Sequence, residues 1–182
     1  MITKFELFEN SYIGHKISPV ATSFTPKVID PMTTEPFKTL LYKDPTPKDI
    51  EAVNKFLRAN KFACLKLYHG TSDEHDIMNQ GLMKTKESTK KSLQSQPGFT
   101  YLSLFPSMAK TFGEMSYPYN KITVYEIDAP IYHLKPDADQ LRNKRLHSNI
   151  DCGNSLGDSA LYGHGFRIKG NIPPYMIKIY KG

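Results

Sequence analysis

The sequence predicts an α+β domain whose sheet is mostly antiparallel. Lys121–Ile127 alternates polar and apolar residues, which is the pattern of a strand with one buried face. Other short apolar runs lie between turn-forming residues, as strands of such a sheet do. Helical periodicity is confined to short segments such as Pro47–Ala59, which favours helices that flank the sheet.

The first 45 residues differ in character from the rest of the chain. Prolines recur there without helical periodicity, at Pro19, Pro26, Pro31, Pro36 and Pro45. Because this segment is also rich in Phe, Ile and Val, we expect an extended arm over residues 1–45 that packs on the core. The remaining residues, 46–182, are expected to form one domain, since 182 residues with 39% hydrophobic content suit a single core.

The first regular elements are predicted from capping residues and apolar runs. Thr46 is a good N-cap and is followed by Pro47, so a helix over Pro47–Ala59 is expected. Phe62–Tyr68 is an apolar run typical of a buried strand, which ends at His69.

The remaining elements follow the same local signals. Ser72 is suited to cap a short helix over Asp73–Asn79, and Gly81 is suited to end it. Ser107 is suited to cap a helix that carries Phe112. Further strands are expected at Phe99–Ser103, Lys121–Ile127, Gly165–Gly170 and Tyr175–Tyr180, with polar loops over residues 84–97 and 143–157.

Composition excludes some classes of protein and leaves others open. Cys64 and Cys152 lack the spacing of a zinc site, so no metal is expected. The sequence has neither a long apolar run nor a signal-peptide pattern, so we expect a cytoplasmic protein without a membrane partner. The net charge of +6 suits a polyanionic partner. The basic clusters at residues 84–91 and 142–145 are either solvated loops or a surface that steers nucleic acid.

The most informative pattern is an ordered set of short motifs. Tyr68-His69-Gly70-Thr71 ends one predicted strand and is followed by Gly81-Leu82, then by Tyr101-Leu102-Ser103 on a second strand and by Phe112 on a helix. This order resembles the catalytic core of NAD-dependent ADP-ribosyltransferases of the poly(ADP-ribose) polymerase and diphtheria-toxin type. The resemblance implies a split antiparallel sheet with short flanking helices, and NAD as the substrate.

The resemblance also implies a role for each matching residue. His69 would bond the nicotinamide ribose, and the backbone of Gly70 would hold the carboxamide, which needs close approach. The rings of Tyr101 and Phe112 would sandwich the cationic nicotinamide. The NAD-binding set implied in this way is His69, Gly70, Thr71, Tyr101, Ser103 and Phe112.

The chain departs from the family pattern at its third motif. The family has a Glu near the start of the penultimate strand, whereas this chain has His164 between two glycines. A neutral imidazole supplies no negative charge to a developing ribose cation. A second acid is available at Asp137 or Asp139, in a stretch that resembles the Asp region of rifampin ADP-ribosyltransferases. The catalytic set is therefore expected to include His69, Tyr101, and His164 or Asp139.

Three functions remain open from the sequence. The first is a mono-ADP-ribosyltransferase of a bacterial or phage-infected cell, which moves ADP-ribose from NAD to a protein or nucleic acid and releases nicotinamide. The second is an RNA 2′-phosphotransferase-like enzyme, which shares the His-Gly-Thr motif but uses arginines to hold a phosphate. Arg167 is expected to point along its strand and so to leave that role empty. The third is a catalytically inactive relative that binds NAD or nucleic acid.

Overall fold

A computed structural model describes residues 26–86, 95–148 and 150–182. Within these ranges the strands are β1 (Val28–Ile29), β2 (Cys64–Ser72), β3 (Phe99–Ser103), β4 (Ile122–Pro130), β5 (Leu134–Pro136), β6 (Gly165–Lys169) and β7 (Ile177–Ile179). The helices are α1 (Phe37–Leu40), α2 (Pro47–Ala59), α3 (Ile77–Gln80), α4 (Pro106–Ser116), α5 (Ala138–Ser148) and α6 (Leu156–Asp158). A π-helical turn, Ser159–Gly163, links α6 to β6.

The strands form one sheet in the order β5-β6-β3-β2-β4-β7, with β1 added beside β2. The β1–β2 pair is parallel and the other pairs are antiparallel. The predicted α+β class with a mostly antiparallel sheet is therefore confirmed.

The sheet opens between β2 and β3. Strand β2 pairs with β4 along its whole length, but in the described ranges its only paired residue on β3 is Tyr68, opposite Ser103. At the far end of β3 the edge is taken instead by Thr85, whose N–H donates to the carbonyl of Phe99 at 2.8 Å. The gap between the two strands lies beside His69–Ser72.

The core lies where the helices cover the sheet. Thr46 and Asp49 form a capping box that begins α2, which buries Val53 and Leu57. Phe37 of α1 is fully buried and contacts the ring of Phe56 edge-on at 5.7 Å. The described part of the predicted arm thus contributes to the same core, although its first 25 residues lie outside the described ranges. The division of the chain at residue 45 stays a prediction.

Several predicted boundaries are wrong. Strand β2 continues past His69 to Ser72 because β4 still pairs with it at His69, Gly70 and Thr71. The short helix after it begins only at Ile77, and the Ser72 hydroxyl accepts the Glu74 N–H in the intervening turn. The predicted loop after residue 143 is instead helical through Ser148.

Helix α4 crosses β2 at Gly70. A Cβ at this position would lie 2.1 Å from the carbonyl oxygen of Ala109, and a Cβ at Gly113 would lie 3.0 Å from the Gly70 carbonyl carbon. The two backbones therefore meet without side chains between them. This packing alone requires a glycine at position 70.

We expect Gly70→Ala to lower the free energy of unfolding by about 2 kcal/mol, because α4 must move away from β2 to admit the methyl group. Gly163→Ala is the matched control, since its Cβ would make only an ordinary contact of 3.5 Å with Gln140. Urea unfolding of both variants measures the difference. Equal stability of the two variants would show that the contact between α4 and β2 accommodates a methyl group without loss of stability.

Candidate active site at the gap between two strands

His69 projects from β2 and connects it to β3. Its Nδ1 lies 2.8 Å from the backbone oxygen of Tyr101, across the gap where the strands no longer pair. A carbonyl only accepts, so Nδ1 carries the proton and donates. Burial lowers the pKa of His69, so the ring is neutral near pH 7. In this tautomer Nε2 is a hydrogen-bond acceptor, as a ligand hydroxyl requires.

Tyr101 is held at both ends. Its carbonyl receives the His69 N–H, and its hydroxyl donates to Oδ2 of Asp139 at 2.5 Å. The same hydroxyl accepts the backbone N–H of Gln96 at 2.7 Å. Burial, and then the hydrogen bond to the Asp139 carboxylate, raise the pKa of Tyr101 well above its usual value. The side chain is therefore a neutral phenol with a fixed ring orientation.

Asp139 lies in the first turn of α5 and anchors the Tyr101 hydroxyl. Its Oδ2 also accepts the Gln96 N–H at 3.1 Å, and its Oδ1 pairs with Arg142 at 3.3 Å. The side chain is 19% exposed. A carboxylate with this many donors is fixed in position, which suits a group that acts by its charge.

Asp137 is the other acid that the sequence left open, and it is turned into the fold. Its Oδ1 accepts the Gln140 N–H at 3.1 Å and caps α5. Its backbone N–H donates to the hydroxyl of Ser159, which in turn donates to the carbonyl of Gly165. Burial raises the pKa of Asp137 to about 6. Asp137 thus positions the start of α5, and through it Asp139.

His164 lies at the start of β6, where the family pattern has its Glu, but its ring is engaged elsewhere. Its Nε2 is 3.2 Å from the carbonyl of Leu161, and its ring packs on Phe105 with 5.2 Å between centroids. Burial, and then the charge of Lys144, lower the pKa of His164, so the ring is uncharged near pH 7. Its backbone carbonyl, rather than its ring, reaches β3 by accepting from Ser103 at 3.3 Å.

The other expected NAD-binding residues are placed unevenly. Thr71 is buried and pairs with Thr123 on β4. The buried Ser103 hydroxyl also accepts the Phe105 N–H at 3.1 Å, so it braces the turn into α4. Phe112 is half-buried on α4, three residues after Ala109, which covers Gly70. Gly70 thus lies on β2 beside the gap and Phe112 on the helix that crosses Gly70, whereas Thr71 and Ser103 serve the structure around them.

Arg167 and Gln96 belong to the site although sequence reasoning did not select them. Arg167 pairs directly with Tyr101 across β3 and β6, its Nη1 donates to Oε1 of Gln96 at 2.5 Å, and its guanidinium lies 4.2 Å from the centre of the Phe99 ring. Because Phe99 is the strand partner of Lys169, the Arg167 side chain leans along β6 and also contacts Gln96. Cross-strand register brings the pair together, and no local pattern in the sequence encodes it.

A scan against models of protein families finds no match, and a search of curated proteins finds no similar sequence. In the described parts of the chain no helix is long and apolar enough to cross a membrane. The same parts place no three His, Cys, Asp or Glu side chains together as metal ligands.

Proposed function

We propose that this protein is a mono-ADP-ribosyltransferase that transfers ADP-ribose from NAD to a macromolecular acceptor and releases nicotinamide. One observation carries the proposal. His69 and Asp139 are both hydrogen-bonded to Tyr101 beside the gap of the sheet, His69 to its backbone oxygen and Asp139 to its hydroxyl. A neutral imidazole, an aromatic ring and a carboxylate are the groups that the reaction requires of the protein.

NAD binding follows from the state of these groups. Nε2 of His69 accepts a hydrogen bond from a ribose hydroxyl, which orients the sugar. The ring of Tyr101, fixed through its hydroxyl, stacks on the nicotinamide, whose positive charge favours an aromatic face. Phe112 supplies the opposing ring, and the backbone of Gly70 holds the carboxamide.

The chemical step breaks the bond between ribose C1′ and the nicotinamide nitrogen. The bonding electrons leave with nicotinamide, which becomes neutral, and positive charge develops on the ribose. The Asp139 carboxylate stabilises this charge. A lone pair of the acceptor then forms the new bond to C1′, and the acceptor proton passes to a carboxylate or to solvent.

The test is nicotinamide release from NAD, combined with transfer of labelled ADP-ribose in a cell lysate. The wild type is expected to release nicotinamide, and His69→Ala to do so about tenfold more slowly, since one hydrogen bond to the ribose is lost. His147→Ala, at an exposed position on α5, is the matched control and is expected to match the wild type. NAD binding without any release by the wild type would favour the inactive relative instead.

One observation favours a second candidate function. Arg167 stands beside Tyr101, where it is available to a phosphate, and this arrangement is compatible with an RNA 2′-phosphotransferase-like reaction. That enzyme would consume NAD only when RNA with a 2′-phosphate is present. Comparing NAD consumption with 2′-phosphorylated and unphosphorylated RNA separates the two candidates.

A further inference from the structure

A row of basic side chains borders the candidate site on the same sheet face as Tyr101. Lys135 of β5 pairs directly with Arg167 of β6, and Arg167 pairs with Tyr101 of β3. Lys169 lies two residues along β6 and therefore on the same face. We call these three cations, Lys135, Arg167 and Lys169, the basic row. Their positions are set by strand register, because they come from two segments that are distant in sequence.

Within the described residues the basic row has no ion-pair partners. Lys135 and Lys169 are exposed. Lys135 and Arg167 lie directly opposite each other on neighbouring strands. Like charges in this arrangement lower the stability of a sheet. An anion that binds across the row would relieve this repulsion.

Aromatic rings accompany the cations. Phe99 and Tyr101 are two residues apart on β3, so both lie on the sheet face that carries the basic row. Lys169 is the direct partner of Phe99. The guanidinium of Arg167 already stacks on Phe99. Proteins bind single-stranded nucleic acid with cationic side chains placed along its phosphate backbone and with aromatic rings on which its bases stack. A peptide acceptor would not use both the cations of the basic row and the aromatic rings beside them.

We propose that the acceptor is a single-stranded nucleic acid, whose phosphates lie along Lys135, Arg167 and Lys169 and bring one nucleotide to the site at Tyr101. The role of this ligand as the acceptor rests on the proposed transferase function, but its binding to the basic row can be tested by itself. The net charge of +6 adds a general attraction for a polyanion. The basic row is the part of the surface where we expect the phosphates to bind.

The experiment measures binding of fluorescein-labelled oligo(U) and oligo(dT), each about twelve nucleotides long, by fluorescence anisotropy at several salt concentrations. The double variant Lys135→Gln/Lys169→Gln is expected to bind about tenfold more weakly, with a log–log salt slope smaller by about 1.4, since two phosphate contacts are lost. The double variant Lys38→Gln/Lys55→Gln removes the same charge from α1 and α2 and is expected to bind as the wild type does. Nicotinamide release with water as acceptor is expected to be unchanged in both.

Each outcome decides a separate question. Equal losses in the two double variants, or no binding by the wild type, would overturn the inference and leave the transferase proposal standing. A raised KM for NAD in Lys135→Gln/Lys169→Gln, with unchanged oligonucleotide binding, would assign the row to the NAD pyrophosphate and also overturn it. Equal affinity for a duplex would overturn its single-stranded part. Selective loss of oligonucleotide binding in a protein that never releases nicotinamide would uphold the surface and reject the transferase.

Discussion

Asp139→Asn is expected to lower kcat/KM for nicotinamide release from NAD by about 100-fold or more. The amide keeps the size of the side chain and an oxygen that accepts from the Tyr101 hydroxyl, so the ring should stay in place. What disappears is the negative charge that, in the proposed reaction, stabilises the ribose as it becomes cationic. Removal of one hydrogen-bond donor to a developing oxyanion typically costs about 10²–10³ in rate, and we expect the loss of a full charge to cost at least the lower figure.

The matched comparison is His164→Asn, which tests the other residue that the sequence offered for the acidic role. Asn tolerates the left-handed backbone of His164, where φ is 52°, so the fold should survive the change. Because the His164 ring is uncharged and contacts Leu161 and Phe105, we expect release within about threefold of the wild type. Reversed results, with His164→Asn impaired and Asp139→Asn active, would return the role to the histidine.

Asp137→Asn is expected to raise the free energy of unfolding by about 3 kcal/mol at pH 8 and to change it little at pH 4. Burial raises the pKa of Asp137 from 3.8 to about 6 in the folded protein. Its contribution to stability is therefore fully present below pH 3.8 and is lost as the pH rises through 6, where the buried carboxyl ionises. A difference of this size in pKa corresponds to about 3 kcal/mol. Asn stays neutral and still accepts from Gln140 as the cap of α5.

Denaturant unfolding at pH 4, 5, 6 and 8 measures this difference. Asp151→Asn, at an exposed position, is the control and is expected to show no such pH dependence. If Asp137→Asn were instead less stable than the wild type at pH 6 and 8, and by more than at pH 4, the negative charge at the start of α5 would outweigh its burial. The role of Asp137 would then be electrostatic stabilisation of the helix.

Local signals in the sequence were sufficient for several elements. Helix α2 begins and ends as predicted because Thr46 and Pro47 define its start without help from distant residues. Strand β3 occupies the predicted residues, Phe99–Ser103. Helix α5 was not predicted, because its polar residues carry no clear apolar periodicity and Leu141 is its one buried residue.

Only part of the candidate site could be predicted from the sequence. His69 and Tyr101 were selected from their motifs, and the structure joins them through one hydrogen bond across the gap. The choice between Asp137 and Asp139 was open in the sequence, because the two acids are only two residues apart and no local pattern distinguishes which one faces the site. The structure buries the Asp137 side chain and places Asp139 against the Tyr101 hydroxyl.

The sequence by itself determined the α+β class, the helix and strands with strong local signals, and the residues worth testing. Tertiary structure alone decided which acid meets Tyr101, that His164 turns to Phe105, and that Lys135 and Arg167 stand side by side. The physical reason is that capping and periodicity act between near neighbours in the chain. Strand register, by contrast, joins residues far apart in sequence, and it depends on the packing of the whole sheet.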